Sequence, residues 1–126
     1  MPPSAEGVPV TFAEGVKADI AALVTAGHPI ASGDVAELGR RIAKLLVDCR
    51  ANPYLGELMG VGRHPSLATC RRVRFDVPGR EGKPRFRLIY INYPTDGAPA
   101  ECRWLAVGPR ARLVAHRAAE ARVPQG

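Results

Sequence analysis

Hydrophobic residues in the first part of the chain recur three and four positions apart, which is the spacing of one helix face. The first apolar stripe consists of Val16, Ile20, Leu23 and Val24. Thr11 and Glu14 have the spacing of a capping box, in which two side chains bond free backbone N–H groups at a helix start. We therefore predict a helix that begins beside Thr11 and ends at about Ala26, before Gly27 and Pro29.

A second apolar stripe of the same spacing follows. It consists of Val35, Leu38, Ile42, Leu45 and Leu46. Asp34 followed by Glu37 is a second start signal, and Asn52-Pro53 predicts the end of this helix after about Arg50. Because a short loop separates the two amphipathic segments, we expect an antiparallel helical hairpin.

The helical pattern stops at residue 53. Residues 53–69 contain three glycines and two prolines and predict irregular structure. Three later segments are rich in Val, Ile, Phe and Tyr and are bounded by turn residues, which predicts strands over residues 70–77, 85–93 and 101–107. Residues 110–122 predict a C-terminal helix, and residues 1–10 predict a flexible arm or a short edge strand at 8–10.

Helices grouped first and strands grouped afterwards predict an α+β fold. The chain has 126 residues, the length of one domain, so we expect residues 11–126 to form a single unit. No apolar run approaches the roughly 18 residues that cross a bilayer. A signal peptide has a basic start followed by an apolar run, and the N-terminal segment of this sequence has neither. We therefore expect a cytoplasmic protein that does not bind membranes.

Positive charge is concentrated in the strand-rich part of the chain. Residues 1–60 contain five basic and seven acidic side chains, whereas residues 61–126 contain 13 basic and five acidic ones, a net charge of +8. Twelve of those 13 bases are arginine, whose planar guanidinium group suits bidentate contacts to phosphate. This pattern favours an anionic partner, either a nucleic acid or an acidic protein segment. The alternative is a solvated, arginine-rich surface without a ligand.

Side chains of a strand point alternately to opposite faces of the sheet, which assigns the predicted strands two faces. One face receives Arg72, Arg74 and Arg87. The other face receives Val73, Phe75, Phe86 and Leu88, and we expect it to pack on the helices. In the third strand, alternation places Leu105 and Val107 opposite Trp104 and Ala106.

Few residues of the sequence are candidates for catalysis or for ligand binding by their type and spacing. His116 lies among several arginines and can transfer protons near neutral pH, although a surface role is the alternative. We interpret His28 and His64, each followed by proline, as structural. The three cysteines are not closely spaced, and the sequence contains no phosphate-binding loop and no carboxylate pair. We therefore expect neither a metal site nor a cofactor. Tyr90, Tyr93 and Trp104 have the chemistry to stack on bases, but we interpret them as core.

Three segments of the strand-rich part are basic and apolar in a specific order. They are Cys70-Arg71-Arg72-Val73-Arg74-Phe75, Pro84-Arg85-Phe86-Arg87-Leu88-Ile89-Tyr90 and Trp104-Leu105-Ala106-Val107-Gly108-Pro109-Arg110. In this order they resemble the RelE/ParE toxin superfamily of bacterial toxin–antitoxin systems. Asn52-Pro53-Tyr54 before the first basic strand is also similar to that family. The resemblance implies a helical hairpin packed on a small curved antiparallel β-sheet, followed by a short C-terminal helix.

The resemblance also implies a function. RelE-type members are metal-independent endoribonucleases that cleave mRNA in the ribosomal A site, by attack of a ribose 2′-OH on the adjacent phosphate. The family positions fall on Arg87 and Arg110, which would stabilise the charge of the phosphate, and on His116, which would be the base or the acid. Arg72 and Arg74 occupy positions where the family often has lysine. With them, the further candidates for RNA binding are Lys83, Arg85 and Arg112.

Two alternatives remain open from the sequence. One is a ParE-like inhibitor of DNA gyrase, and the other is a non-catalytic module that binds RNA or protein on the same scaffold. A toxin further implies an inhibitory partner, so we expect an antitoxin with an acidic segment that covers the basic face, in a toxin–antitoxin hetero-oligomer. The other expected partners are mRNA in the ribosomal A site and ribosomal RNA, and no cofactor is expected.

Overall fold

A computed structural model describes residues 7–24, 35–60, 62, 64–79 and 81–124 of the chain, and places three α-helices and five strands among them. The helices are α1 (Val16–Val24), α2 (Val35–Ala51) and α3 (Val114–Arg122). The strands are β1 (Val10–Phe12), β2 (Glu57–Leu58), β3 (Cys70–Phe75), β4 (Phe86–Tyr93) and β5 (Glu101–Pro109). The α+β class and the order of the main elements are therefore confirmed. The predicted arm over residues 1–6 lies outside the described residues.

The five strands form one sheet in the order β1-β5-β4-β3-β2. Strands β2 to β5 are antiparallel to their neighbours, but β1 runs parallel to β5, with Val10 opposite Cys102 and Phe12 opposite Trp104. The expected antiparallel sheet is thus present in β2 to β5, and β1 adds a parallel edge strand, so the sheet as a whole is mixed. A parallel neighbour requires a long connection, and here both N-terminal helices and the other three strands separate β1 from β5.

The predicted capping box at Thr11 does not form. Thr11 lies in β1, and its hydroxyl donates to the carboxylate of Glu101 on β5. Pairing with β5 extends to Ala13, whose N–H donates to the carbonyl of Trp104 at 2.9 Å. The chain turns at Gly15, whose φ of +98° favours glycine. A Cβ at this position would also lie 2.6 Å from Nη2 of Arg122. Helix α1 begins after this turn, at Val16. The predicted end at Ala26 lies outside the described residues.

The segment predicted to be irregular, residues 53–69, contains two short elements. Strand β2 pairs with β3, with Glu57 opposite Arg72, and a 3₁₀ helix covers Pro65–Leu67. The pairing continues past β2, since Met59 N–H donates to the Cys70 carbonyl at 2.9 Å. Because these bonds are long-range, the glycine and proline content of the segment did not predict them.

Hydrophobic side chains are buried on both faces of the sheet. The face toward α1 and α2 contributes Phe75, Phe86, Leu88, Tyr90 and Trp104 to one core cluster. The face toward α3 and the 3₁₀ helix contributes Cys70, Ile89, Ile91, Leu105 and Ala106 to a second cluster, together with Ala115 and Ala119 of α3. The face predicted to pack on the helices does so. The opposite face, which carries the arginines, is itself partly covered by α3.

A β-bulge changes the alternation of β5. Ile89 pairs with Ala106 and the next residue, Tyr90, pairs with Trp104, so Leu105 is the extra residue. Leu105 and Ala106 consequently both belong to the cluster under α3, whereas Trp104 and Val107 belong to the opposite one. The assignment of Leu105 with Val107, and of Trp104 with Ala106, is therefore wrong. The extra residue shifts the period-two pattern by one position.

The C-terminal helix is held to the rest of the fold by an ion pair. Arg122 of α3 donates through Nη1 to Asp19 of α1 at 2.6 Å and to the Leu105 carbonyl at 2.9 Å. The same carboxylate accepts the N–H of Val107 at 3.2 Å. Both charged side chains are about four-fifths buried, so one carboxylate joins α1, β5 and α3.

We expect Asp19→Ala to lower the free energy of unfolding by about 2–3 kcal/mol, because Arg122 and a backbone N–H both lose a charged acceptor in a largely buried setting. Urea denaturation followed by circular dichroism measures the change. Glu37→Ala is the matched control, since Glu37 pairs with Arg40 in solvent, and it should cost less than about 0.5 kcal/mol. Equal losses in the two variants would contradict the role assigned to Asp19.

Candidate functional site

A cleft of about 290 Å³ opens where the arginine face of the sheet emerges from beneath α3. The two central strands, the start of the C-terminal segment and the loop after β2 all contribute to its walls. The lining residues are Met59, Gly60, Gly62, His64, Arg72, Arg74, Arg87, Arg110, Leu113 and His116. Five of the residues singled out in the sequence therefore meet here, although they come from β3, β4, α3 and the turn that precedes α3.

The arginines lie side by side because of the register of the central strands. Arg74 on β3 is directly opposite Arg87 on β4, an arrangement in which like charges destabilise each other. Arg87 is 6% exposed, and its Nη1 donates to the carbonyls of Pro84 and Phe86, each at 2.9 Å. Burial, followed by the nearby charges of Arg74, Arg72 and Arg110, lowers its pKa to about 10. The cleft thus concentrates positive charge that an anion would compensate.

One carboxylate already partly compensates this charge. Glu57 on β2 accepts a hydrogen bond from Arg72 Nη2, and Arg74 Nη2 lies 3.4 Å from the same oxygen. Hydrogen bonding and charge from Arg72, with a further contribution from Arg74, lower the pKa of Glu57. The Glu57 side chain is 56% exposed, so solvent screens these pairs. Glu57 is therefore a carboxylate of the protein itself that neutralises part of the charge of the two arginines.

His116 forms the wall of the cleft that α3 contributes. It is 4% exposed, and its Nδ1 is buried without a hydrogen-bond partner among the described residues. Burial lowers its pKa to about 4, with electrostatic contributions in the same direction from His64, Arg72 and Arg87, while Glu120 acts in the opposite sense. The imidazole is consequently neutral at pH 7 and can accept a proton from a ligand. A surface role for His116 is excluded by its burial.

The turn before α3 directs His116 into this position. A 3₁₀ turn (Ala111–Leu113) follows β5, and the predicted continuous helix over residues 110–122 is interrupted at Leu113. Leu113 has φ of +54°, in the left-handed region that disfavours side chains with a Cβ. Its side chain lines the cleft. A strained residue next to a site is a feature that often accompanies function.

Sequence reasoning missed two residues of this site. His64, interpreted as structural, lines the cleft, and its ring centroid lies 4.8 Å from that of His116, with the two planes tilted by 30°. Its Nδ1 lies 3.1 Å from a carboxylate oxygen of Glu120. Glu120 could have been found, because it follows His116 by four positions on the same helix face. Nothing in the sequence links His64 to His116, which lies 52 residues later.

Three candidates for RNA binding are not among the residues of the cleft. Arg85 holds Asp76 through several bonds, including Nη2 to Oδ1 at 2.8 Å, and Lys83 is exposed in the connection between β3 and β4. The side chain of Arg112 lies outside what the structure describes. The binding roles of these three residues remain predictions, as do the chemical roles of the residues that line the cleft.

The aromatic side chains considered for base stacking belong mainly to the core. Tyr90 and Trp104 are fully buried, and the Tyr90 hydroxyl donates to the Pro53 carbonyl at 2.7 Å. Burial also raises the pKa of Tyr90. Tyr93 is partly exposed and lies beside the guanidinium of Arg103. Within the described ranges, no group of three metal-ligating side chains comes together, and no helix is long and apolar enough to span a membrane.

The burial of His116 makes the stability of the protein depend on pH. Its pKa falls from 6.5 to about 4 on folding, so the unfolded chain binds the proton more tightly. This contribution to stability is present above pH 6.5 and is lost as the pH falls to 4, in total about 3 kcal/mol. We expect the difference in free energy of unfolding between the wild type and His116→Gln to shrink by that amount from pH 7 to pH 4. Urea titrations across this range measure it, and a constant difference would contradict the prediction.

Comparison with known proteins adds evidence on the fold. No protein-family model and no curated protein sequence matches this chain. The structure is similar to a solved structure of the E. coli toxin RelE, a mutant in the free state, with a TM-score of 0.52 and 15% sequence identity. The superposition covers 91% of this chain and 95% of the RelE chain. The similarity in sequence pattern is thus matched by a similarity in architecture, and the chain has a RelE-like fold.

Proposed function

We propose that this protein is the toxin of a toxin–antitoxin system and an endoribonuclease that cleaves mRNA in the ribosomal A site. The observation that carries the proposal is the cleft itself, in which Arg72, Arg74, Arg87 and Arg110 surround a buried histidine. A phosphodiester backbone is the ligand class that suits such a site, because guanidinium groups bind phosphate oxygens in pairs. The RelE-like fold supports the same assignment.

The proposed reaction is an internal transfer of the phosphoryl group. The ribose 2′-oxygen attacks the adjacent phosphorus, the bond to the 5′-oxygen breaks, and the products are a 2′,3′-cyclic phosphate and a 5′-hydroxyl. Arg87 and Arg110 stabilise the additional negative charge on the phosphoryl oxygens in the transition state. His116, neutral at physiological pH, takes the proton of the 2′-hydroxyl. Arg72 and Arg74 hold the neighbouring phosphates in place of Glu57.

The arginine in place of lysine on β3 limits which residues transfer protons. Arginine stays protonated in proteins, so Arg72 and Arg74 act as charges and not as bases. The proton transfer then falls to the histidines of the cleft. We further propose that the cleft is covered before activation by an acidic segment of an antitoxin, whose carboxylates would occupy the positions that Glu57 and the RNA phosphates otherwise take.

Mapping of mRNA 5′ ends on translating ribosomes tests the proposed function. Purified protein added to a translation reaction should generate new mRNA ends within the codon at the ribosomal A site, each carrying a 5′-hydroxyl, and free mRNA should remain intact. Intact ribosome-bound mRNA would overturn the proposal. Inhibition of gyrase supercoiling without RNA cleavage would instead favour the ParE-like alternative, and salt-sensitive RNA binding without cleavage would favour a non-catalytic module.

A further inference from the structure

We propose that His64 is the second catalytic residue of the cleft and protonates the leaving 5′-oxygen, while Glu120 positions its ring. The inference deepens the proposed function and rests on it. It assigns the two proton transfers of the reaction to two different histidines, one on α3 and one in the loop before the 3₁₀ helix. The family resemblance had offered only His116, as either the base or the acid.

The position of His64 is the first argument. Its ring lies 4.8 Å from the ring of His116, and both rings line the cleft that contains the arginines. Attack at phosphorus and departure of the 5′-oxygen occur on opposite sides of one phosphate, so a base and an acid must both reach that phosphate. Because both imidazoles line the same cleft, a phosphodiester bound there would have one ring available for each of the two proton transfers.

The contact with Glu120 is the second argument. The Glu120 carboxylate lies 3.1 Å from Nδ1 of His64, which fixes the ring and leaves Nε2 as the nitrogen for proton transfer. Glu120 is one helical turn after His116 on α3, so the same helix supplies one histidine and orients the other. The loop side is also fixed, because the His64 carbonyl accepts the N–H of Leu67 at 2.9 Å and Leu67 is fully buried.

The charges around the two rings divide the roles. His116 faces the guanidinium groups of Arg72 and Arg87 and the ring of His64, and these oppose a positive charge on its own ring. His116 therefore begins the reaction neutral, as a base must. In the reaction the 2′-hydroxyl proton moves to His116, the 2′-oxygen bonds to phosphorus, the bond to the 5′-oxygen breaks, and that oxygen takes a proton from His64. Exchange with water then restores both rings.

A sulfur substitution in the RNA tests this assignment. The cleavage position found by end mapping is rebuilt with sulfur in place of the bridging 5′-oxygen, because a thiol, with a pKa of about 8.5, departs without needing an acid. We expect His64→Ala to slow single-turnover cleavage of normal ribosome-bound mRNA by about 100-fold or more. On the sulfur-substituted mRNA the same variant should cleave within about fivefold of the wild type, since that leaving group makes general acid catalysis unnecessary.

The other variants separate the competing explanations. His116→Ala should remain slow on both RNAs, since the base is still needed. Glu120→Ala should slow cleavage of normal mRNA less than His64→Ala does, and the sulfur-substituted mRNA should restore its rate. This is the behaviour expected of a residue that only positions the general acid. Ser66→Ala is the matched control, because Ser66 is exposed on the same 3₁₀ helix, and it should leave both rates unchanged. His64→Gln, with thermal unfolding of every variant, guards against a loss of folding in His64→Ala.

Two results overturn the proposal while the proposed function stands. One is wild-type cleavage of normal mRNA by folded His64→Ala or His64→Gln, and the other is a deficit that is equally large on the sulfur-substituted mRNA. Absence of cleavage of normal mRNA by the wild type is a different outcome, which overturns the proposed function and this inference together.

Discussion

Replacement of His116 by alanine is expected to slow single-turnover cleavage of ribosome-bound mRNA by about 10²–10⁴-fold, the usual effect of removing a general base. The reason is the position of the ring, which is buried in the wall of the arginine cleft and is neutral at pH 7. The ribosome should still bind the variant, because the four arginines of the cleft remain. Quenched time courses with end-labelled mRNA measure the rate, and co-sedimentation with ribosomes measures the binding.

The control for this variant is Arg117→Ala, which changes the next residue of α3 on an exposed position. Its cleavage rate should stay within about twofold of the wild type, since solvent screens an exposed charge.

The pH dependence of the cleavage rate is a second test of the role of His116. Because the pKa of His116 is about 4, the base-dependent limb of the wild-type rate should fall only below about pH 5. Full activity of His116→Ala would remove this residue from the mechanism.

Replacement of Arg87 is expected to have the second large effect. Arg87→Ala should reduce the rate of cleavage by about 10²–10³-fold, the loss seen when one preorganised donor to a developing negative charge is removed. The buried guanidinium of Arg87 is held by two backbone carbonyls, those of Pro84 and Phe86. Arg87→Lys should therefore restore less than about a tenth of the wild-type rate, because an ammonium group has no fork to bridge two carbonyls and a phosphate.

Arg103→Ala is the matched control for Arg87. Arg103 is also a sheet arginine, but it lies on β5, pairs with Glu101 at 3.2 Å and does not line the cleft. The single-turnover rate of this variant should remain within about threefold of the wild type, since this partly exposed ion pair lies outside the cleft and contributes little. Equal losses in Arg87→Ala and Arg103→Ala would indicate a general effect of positive charge and would contradict a specific role for Arg87.

Local patterns in the sequence were reliable where one face of an element is buried. The stripes that begin at Val16 and Val35 became α1 and α2, because their apolar residues pack on the sheet. Alternation assigned Arg72, Arg74 and Arg87 to one face correctly, since the register of β3 and β4 is regular. The RelE resemblance, read from three short segments, is matched by the architecture.

The errors arose where a distant segment competed with a local signal. Thr11 has the spacing of a helix cap, but pairing with β5 draws it into a strand. Leu105 is the extra residue of a bulge, which places Trp104 and Ala106 on opposite faces although strict alternation had assigned them to the same one. Residues 57–58 form a strand because β3 presents an open edge, and the composition of the segment does not record that edge.

The sequence by itself determined the kinds of elements, the fold class and the face on which three arginines lie, because these follow from periods of 3.6 and two residues. Only the tertiary structure decided that Arg110, His116 and His64 join those arginines in one cleft. The physical reason is that this cleft is built from contacts between segments up to about 60 residues apart, such as His64 with Glu120. Such contacts depend on how the helices and the sheet pack, and no local spacing specifies them.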